Sequence, residues 1–221
     1  MASTARSLRL LVAAAAAALL APTAARAAEA QKPARQTAIV LAAPADFTTA
    51  VAAVERATGA RAERFPFGDV PPTEGRSFGV EPQLAERLLE GSHRVFRQAG
   101  LFLFRYERSF GMAGEKDRLG LLKTADLRAV VRRVGTGQAR HELGSERVVA
   151  WLDALAKDEP FELWEVGADY VAGRFERTPK DPEAVARRCA AFAPDLVAGR
   201  ASTLELLAHE IKGNRTLYLI W

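Results

Sequence analysis

The chain is poor in the residues and motifs that announce a small catalytic or disulfide-built protein. It has one cysteine, Cys189, so an internal disulfide framework is excluded and thiols are removed as a zinc ligand set. Its three histidines, His93, His141 and His209, lie far apart, whereas zinc ligands come at close spacing. No metal and no cofactor is therefore expected. Gly91-Ser92 and Gly144-Ser145 lack the second glycine of a hydrolase elbow. Gly135-Thr136-Gly137 lacks both the third glycine and the lysine of a phosphate loop. There is no internal repeat and no Gly/Ser linker. What is present is unremarkable in bulk: 49% hydrophobic and 26% charged residues place the chain among ordinary globular proteins.

The first thirty residues differ from the rest. Arg6 and Arg9 precede an apolar run from Leu10 to Ala21, Pro22 breaks it, and no acid occurs before Glu29. Ala25-Arg26-Ala27 then offers the small-x-small pattern of signal cleavage. Basic, apolar, cleavable is the order of a secretory signal. The run is too short for a membrane span, which needs ~20 apolar residues, so no stable anchor is expected after cleavage. Residues 1–27 read as the signal, cut after Ala27, with Ala30 as a second possible point. Removing three arginines with it leaves 28 Lys+Arg against 27 Asp+Glu over 194 residues. The formal +4 of the whole chain thus belongs mainly to the address, and a nucleic-acid partner, which needs a clustered positive surface, is not expected. The expected location is periplasmic or secreted.

Residues 28–58 read as a polar leader and an N-terminal helix, with Ala38–Leu41 a short strand and Asp46 and Gly59 bracketing the helix. Residues 59–221 read as one α+β domain. Prolines and glycines make 60–80 a loop-rich stretch with short extended pieces. Pro82 opens a helix that Gly100 ends. Strands are expected at 101–106, 118–123, 128–134, 161–166, 170–175 and 217–221. Further helices are expected after Ser145 and Asp181 as caps and over 203–212, the last stopped by Gly213-Asn214. Strands and helices interleave without βαβ regularity, which predicts a mostly antiparallel sheet with helices packed against it.

Asp169 beside Gly167 and Asp195 after Pro194 are the acids that stand out. Two neighbouring carboxylates do acid–base work or bind a cation. The plainer alternative is that each accepts backbone N–H bonds in its own turn. His141-Glu142 follows a Gly-rich turn and is the third candidate for orienting a ligand. His93 and His209 read as polar-face residues, Trp151, Trp164 and Trp221 as core, Arg132-Arg133 and Arg187-Arg188 as solvated faces, and Cys189 as a buried small hydrophobe.

From about residue 100, the order Leu119-Gly120-Leu121-Leu122-Lys123-Thr124, Val134-Gly135-Thr136, Ala150-Trp151-Leu152, Gly167-Ala168-Asp169-Tyr170-Val171, Ala193-Pro194-Asp195-Leu196-Val197, Thr203-Leu204-Glu205 and Tyr218-Leu219-Ile220-Trp221 resembles the bacterial family called domain of unknown function forty-two fifty-three. The resemblance implies a cysteine where Ala193 stands, a glutamine where Gly199 stands and an acid where Ala172 stands, so this chain keeps Asp169 and Asp195 from a polar set that it has otherwise lost. The functional expectation is a non-catalytic envelope protein that binds a partner protein or small ligand, or protects. The alternative is a hydrolase-like enzyme using Asp169, Asp195 and His141 around a cation.

Overall fold

The structure, a computed structural model, describes residues 37–109, 112, 114–137, 143–198 and 203–221. The expected signal and leader, to Gln36, and His141 lie outside these residues. The described chain holds six helices, α1 (Phe47–Thr58), α2 (Pro82–Gln98), α3 (Leu127–Val134), α4 (Gly144–Asp158), α5 (Pro182–Phe192) and α6 (Leu204–Asn214). Its seven strands are β1 (Glu63–Arg64), β2 (Gly75–Val80), β3 (Phe102–Glu107), β4 (Asp117–Leu122), β5 (Phe161–Val166), β6 (Tyr170–Phe175) and β7 (Thr216–Ile220). They form one sheet in the order β1-β2-β4-β3-β5-β6-β7. Every neighbouring pair is antiparallel except β3 with β5 at its centre. The architecture is α+β, as the interleaving predicts.

Helices cover both faces of this sheet, and alternation along β3 shows how. Phe102, Phe104 and Tyr106 join one apolar cluster with Val130 and Val131 of α3, Leu152 of α4, Val185 of α5 and Ile211 of α6. Leu101 and Leu103 point the other way, to Val54 of α1 and Leu88, Leu89 and Phe96 of α2. Period-two alternation with apolar residues on both sides is what a doubly covered strand requires.

Several helix ends follow their sequence signals. Asp46 accepts from Thr49 N at 2.7 Å in a reciprocal capping box, and Gly59 closes α1 at φ 68°. Pro82 and Pro182 sit in the first turns of α2 and α5, and Asp181 caps the latter.

Four local expectations are overturned. Residues 128–134 are helix, because Asp126 caps them and Leu127, Val130, Val131 and Val134 fall on one helical face; that spacing outweighs the strand preference of valine. Ser145 lies inside α4 and donates from Oγ to Thr136 O at 3.0 Å. α6 runs through Gly213-Asn214, and Arg215 takes the left-handed cap at φ 57°. Ala38–Leu41 joins no strand. It lies along α2, with Ile39 N donating to Arg87 O, Leu41 N to Ser92 Oγ, and Ser92 Oγ to Ile39 O. Gly91 permits this approach, since a Cβ there would stand 2.2 Å from Ile39 O.

Candidate functional site

Two charged residues sit in strands that are otherwise apolar, Arg105 in β3 and Glu165 in β5. Both are buried, at 3% and 1% exposure. They meet because β3 and β5 pair in register there, Arg105 opposite Glu165. A slip in the β5–β6 pairing between Leu163 and Glu165 makes Trp164 the extra residue of a bulge. Leu163 joins the α3–α6 cluster, while Trp164 packs against the α1–α2 cluster and Glu165 reaches the Arg105 side chain. Two consecutive side chains thereby share one face, which is what a bulge achieves.

The charges form a connected set. Arg105 holds Asp117 at 2.9 Å, Glu86 of α2 at 2.5 Å and Glu165 at 3.8 Å. Arg108 forks onto Glu165, its Nε donating to Oε2 at 2.6 Å and its second nitrogen to Oε1. Asp117 also accepts from Ser109 N and Oγ, each at 2.9 Å. The Glu165 hydrogen bonds hold the Arg108 guanidinium even more firmly protonated than usual. Burial first, then the Glu165 charge, raises the Tyr170 phenol well above its ordinary range. Burial likewise raises Tyr218, with smaller contributions from Glu165 and Asp169. Two donors in this set stay buried without a hydrogen-bond partner, Tyr170 Oη and Arg105 Nε.

This network opens into a cleft of about 350 Å³. Ala172 of β6 forms its floor, opposite Tyr218 on β7 and Glu165 on β5. Trp164 and Tyr218 are its walls, Arg108 and Glu165 stand toward one end, and Arg174 and Thr216 toward the other. Glu86 borders it from α2. Trp164, expected as core, is half-buried here, because the bulge turns it to the edge of α2 instead of under it. A smaller cleft of about 220 Å³ lies by the start of α3, between Val131, Leu152 and Phe161. On its rim Arg128 Nε is held by both oxygens of Asp153.

The candidates read from sequence fall elsewhere. Asp169 is exposed in the turn between β5 and β6, its carbonyl accepting from Trp221 N, and it touches the cleft only through its charge on Tyr218. Asp195 is exposed in a 3-10 turn after α5, where its carbonyl accepts from Ala198 N. His141 lies outside the described residues. Among the described residues no group of three or more His, Cys, Asp or Glu is placed to hold a metal ion. His209 is exposed as expected. His93 is not, being 3% exposed with Nδ1 2.8 Å from Leu103 O and its ring against Phe102. Cys189 is buried and free, and burial pushes its thiol up to about 12.

Sequence reasoning passed over Arg105, Glu165 and Arg174, and assigned Trp164 to the core. The available signal was a charge at an inward position of an apolar strand, Leu-Phe-Leu-Phe-Arg-Tyr and Phe-Glu-Leu-Trp-Glu-Val, since such charges are rarely buried unless paired. Ala172 carried a second signal. The resemblance expects an acid there, and its small side chain is what leaves room above β6.

No curated protein and no solved structure matches the chain. A family model described as a domain of unknown function, DUF4253, matches residues 118–221. That stretch contains Trp164, Glu165, Tyr170, Ala172, Arg174 and Tyr218, whereas Glu86, Arg105, Arg108 and Asp117 precede it. The family model thus reaches only the C-terminal part of the chain, and Glu86 and Arg108, which border the same cleft, lie before it.

Proposed function

We propose that this chain is an exported binding protein that takes a small molecule in the cleft over Ala172. The observation that carries the reading is the buried Arg105–Glu165–Arg108–Asp117 network beside an open cleft with two aromatic walls. Folding does not call for such a network, because apolar residues of similar volume serve a core as well or better. A cleft with apolar walls and a few fixed polar groups is the usual form of a ligand site.

Binding suits these groups better than turnover. Both Glu165 oxygens are engaged by arginine, and the Tyr170 and Tyr218 phenols are held protonated. A general base needs a free lone pair near the working pH, and these three groups do not offer one. Export rests on the leader alone. No helix among the described residues is long and apolar enough to cross a membrane.

The test is the indole N–H resonance of Trp164 in a screen of small metabolites, with Trp151 and Trp221 as internal controls. Compounds that raise the melting temperature are expected to move the Trp164 signal selectively, and Ala172→Leu, which fills the floor, to abolish the response. Stabilising compounds that leave Trp164 unmoved, and bind Ala172→Leu unchanged, would overturn the reading. N-terminal sequencing of the exported protein is expected to begin at Ala28 or Gln31. Recovery only of uncleaved cytosolic chain would remove the envelope from the proposal.

A further inference from the structure

We infer that the ligand of this cleft carries an anionic group, a carboxylate or phosphate on a flat apolar body, and that Arg174 seats it. The inference rests on the cleft being a binding site. It follows from which charges around the cleft are already spent. Arg108 is forked onto Glu165, and Arg105 onto Asp117, Glu86 and Glu165. Arg174 is different. Its cross-strand neighbour on β5 is Glu162, the carboxylate that would ordinarily pair with it. Glu162 instead accepts from Nε and a terminal nitrogen of Arg94, reaching down from α2, at 2.9 and 2.7 Å. On the other side Arg174 faces Thr216, which carries no charge. Among the described residues no carboxylate pairs with Arg174.

The guanidinium is nonetheless oriented. Its carbon lies over the Trp164 ring, 5.7 Å from the ring centre, within the range of a cation–π interaction. A guanidinium held over a ring still has N–H groups for a planar or tetrahedral anion, bound through two parallel hydrogen bonds. The ligand's body then has Ala172 beneath it and Tyr218 across β6. Trp164 and Tyr218 come from the two strands that flank β6.

The probes are benzoate, phenyl phosphate and benzyl alcohol, which share a ring and differ in charge. They are titrated into the whole mature chain, with calorimetry for Kd and the Trp164 indole resonance for location. Benzoate and phenyl phosphate are expected to move Trp164, and benzyl alcohol to bind at least about tenfold more weakly, the value of one charge-assisted hydrogen bond. Arg174→Gln is expected to lose at least that factor for both anions, and Arg174→Lys to recover part of it. Because Arg174 is exposed, an unchanged melting temperature certifies the fold of both variants. Whichever anion binds more tightly names the headgroup, and either order supports the inference. Benzyl alcohol matching benzoate at Trp164, or Arg174→Gln binding benzoate unchanged, overturns the anion assignment and leaves the cleft as a binding site. No movement of Trp164 with any of the three probes overturns both.

Discussion

The sheet face under α3–α6 and the face under α1 and α2 use the same central strands but are finished differently. On the first, Phe102, Phe104, Leu163, Val166, Val171 and Phe175 meet helix side chains in an apolar layer. On the second, Leu103, Leu119 and Leu121 continue such a layer only as far as α2 reaches. Beyond it, Arg105, Asp117 and Glu165 are buried as charges, and the surface of β5–β7 opens into the cleft. The contrast separates two uses of burial. One face is closed for stability, while the other holds charges in fixed positions next to open space.

The largest predicted effects test that division directly. Phe104→Ala on the closed face is expected to cost about 3–5 kcal/mol, the transfer and cavity cost of a buried aromatic. Glu165→Ala on the open face is expected to cost a similar ~3–5 kcal/mol, because it strands two arginines, one of them buried. The two losses differ in how they are repaired. Combining Arg105→Met, Asp117→Leu and Glu165→Leu removes the buried charges together and is expected to return stability to within about 1 kcal/mol of the original or above it. No second truncation restores Phe104→Ala. Urea unfolding of the three variants beside the original chain decides the matter. A triple variant as unstable as Glu165→Ala would mean that the network is itself a pillar of the fold.

A smaller effect probes how the α2 face is sealed from outside. The segment around Ile39 lies against Gly91 of α2. Gly91→Ala is expected to cost about 1–3 kcal/mol, as overpacking does, and to free residues 37–41 for limited proteolysis while the rest resists. Uniform protease sensitivity would mean that this segment and the core unfold as one unit.

Much of the frame was legible because local signals and tertiary packing agree. Asp46 with Gly59, Pro82, and Asp181-Pro182 mark helix ends through their own backbone chemistry, and the β5–β6 pair is bounded by Gly167. The misreadings arose where two signals competed. Val130, Val131 and Val134 have strand-like side chains, but their spacing with Leu127 is helical, and the period decided. His93 reads as polar-face on its own helix, yet α2 lies with that side against β3, a fact fixed by residues ten positions away. The site was less legible still. Its charges come from α2, β3 and the residue after it, β4, β5 and β6, and the central β3–β5 pairing and the bulge at Trp164 help bring them together. Asp169 and Asp195 stood out because turns make acids conspicuous, whereas Arg105 and Glu165 were hidden inside apolar strings.

The smallest predicted effect concerns His93, a further polar side chain buried on the α2 face. Its Nδ1 reaches Leu103 O, its Nε2 has no partner, and Phe102 and Trp164 pack around it. Burial is the main cause that lowers its pKa below the ordinary 6.5. Arg97 and Arg94 add to the lowering, and the Leu103 carbonyl and Glu162 oppose it. Because the folded value is depressed, the unfolded chain binds the proton more readily, and stability rises with pH across this window. The contribution is fully present above 6.5 and is lost progressively as the pH falls below that value toward the folded pKa. Unfolding free energies measured between pH 7.5 and 5 are therefore expected to decline, with His93→Gln flattening the His93 part of the slope. A His93→Gln slope equal to the original would assign the pH dependence to other groups and leave His93 as a packing residue alone. Since His93 touches Trp164, the same titration read at the Trp164 indole shows whether the strain of charging this histidine reaches the wall of the cleft.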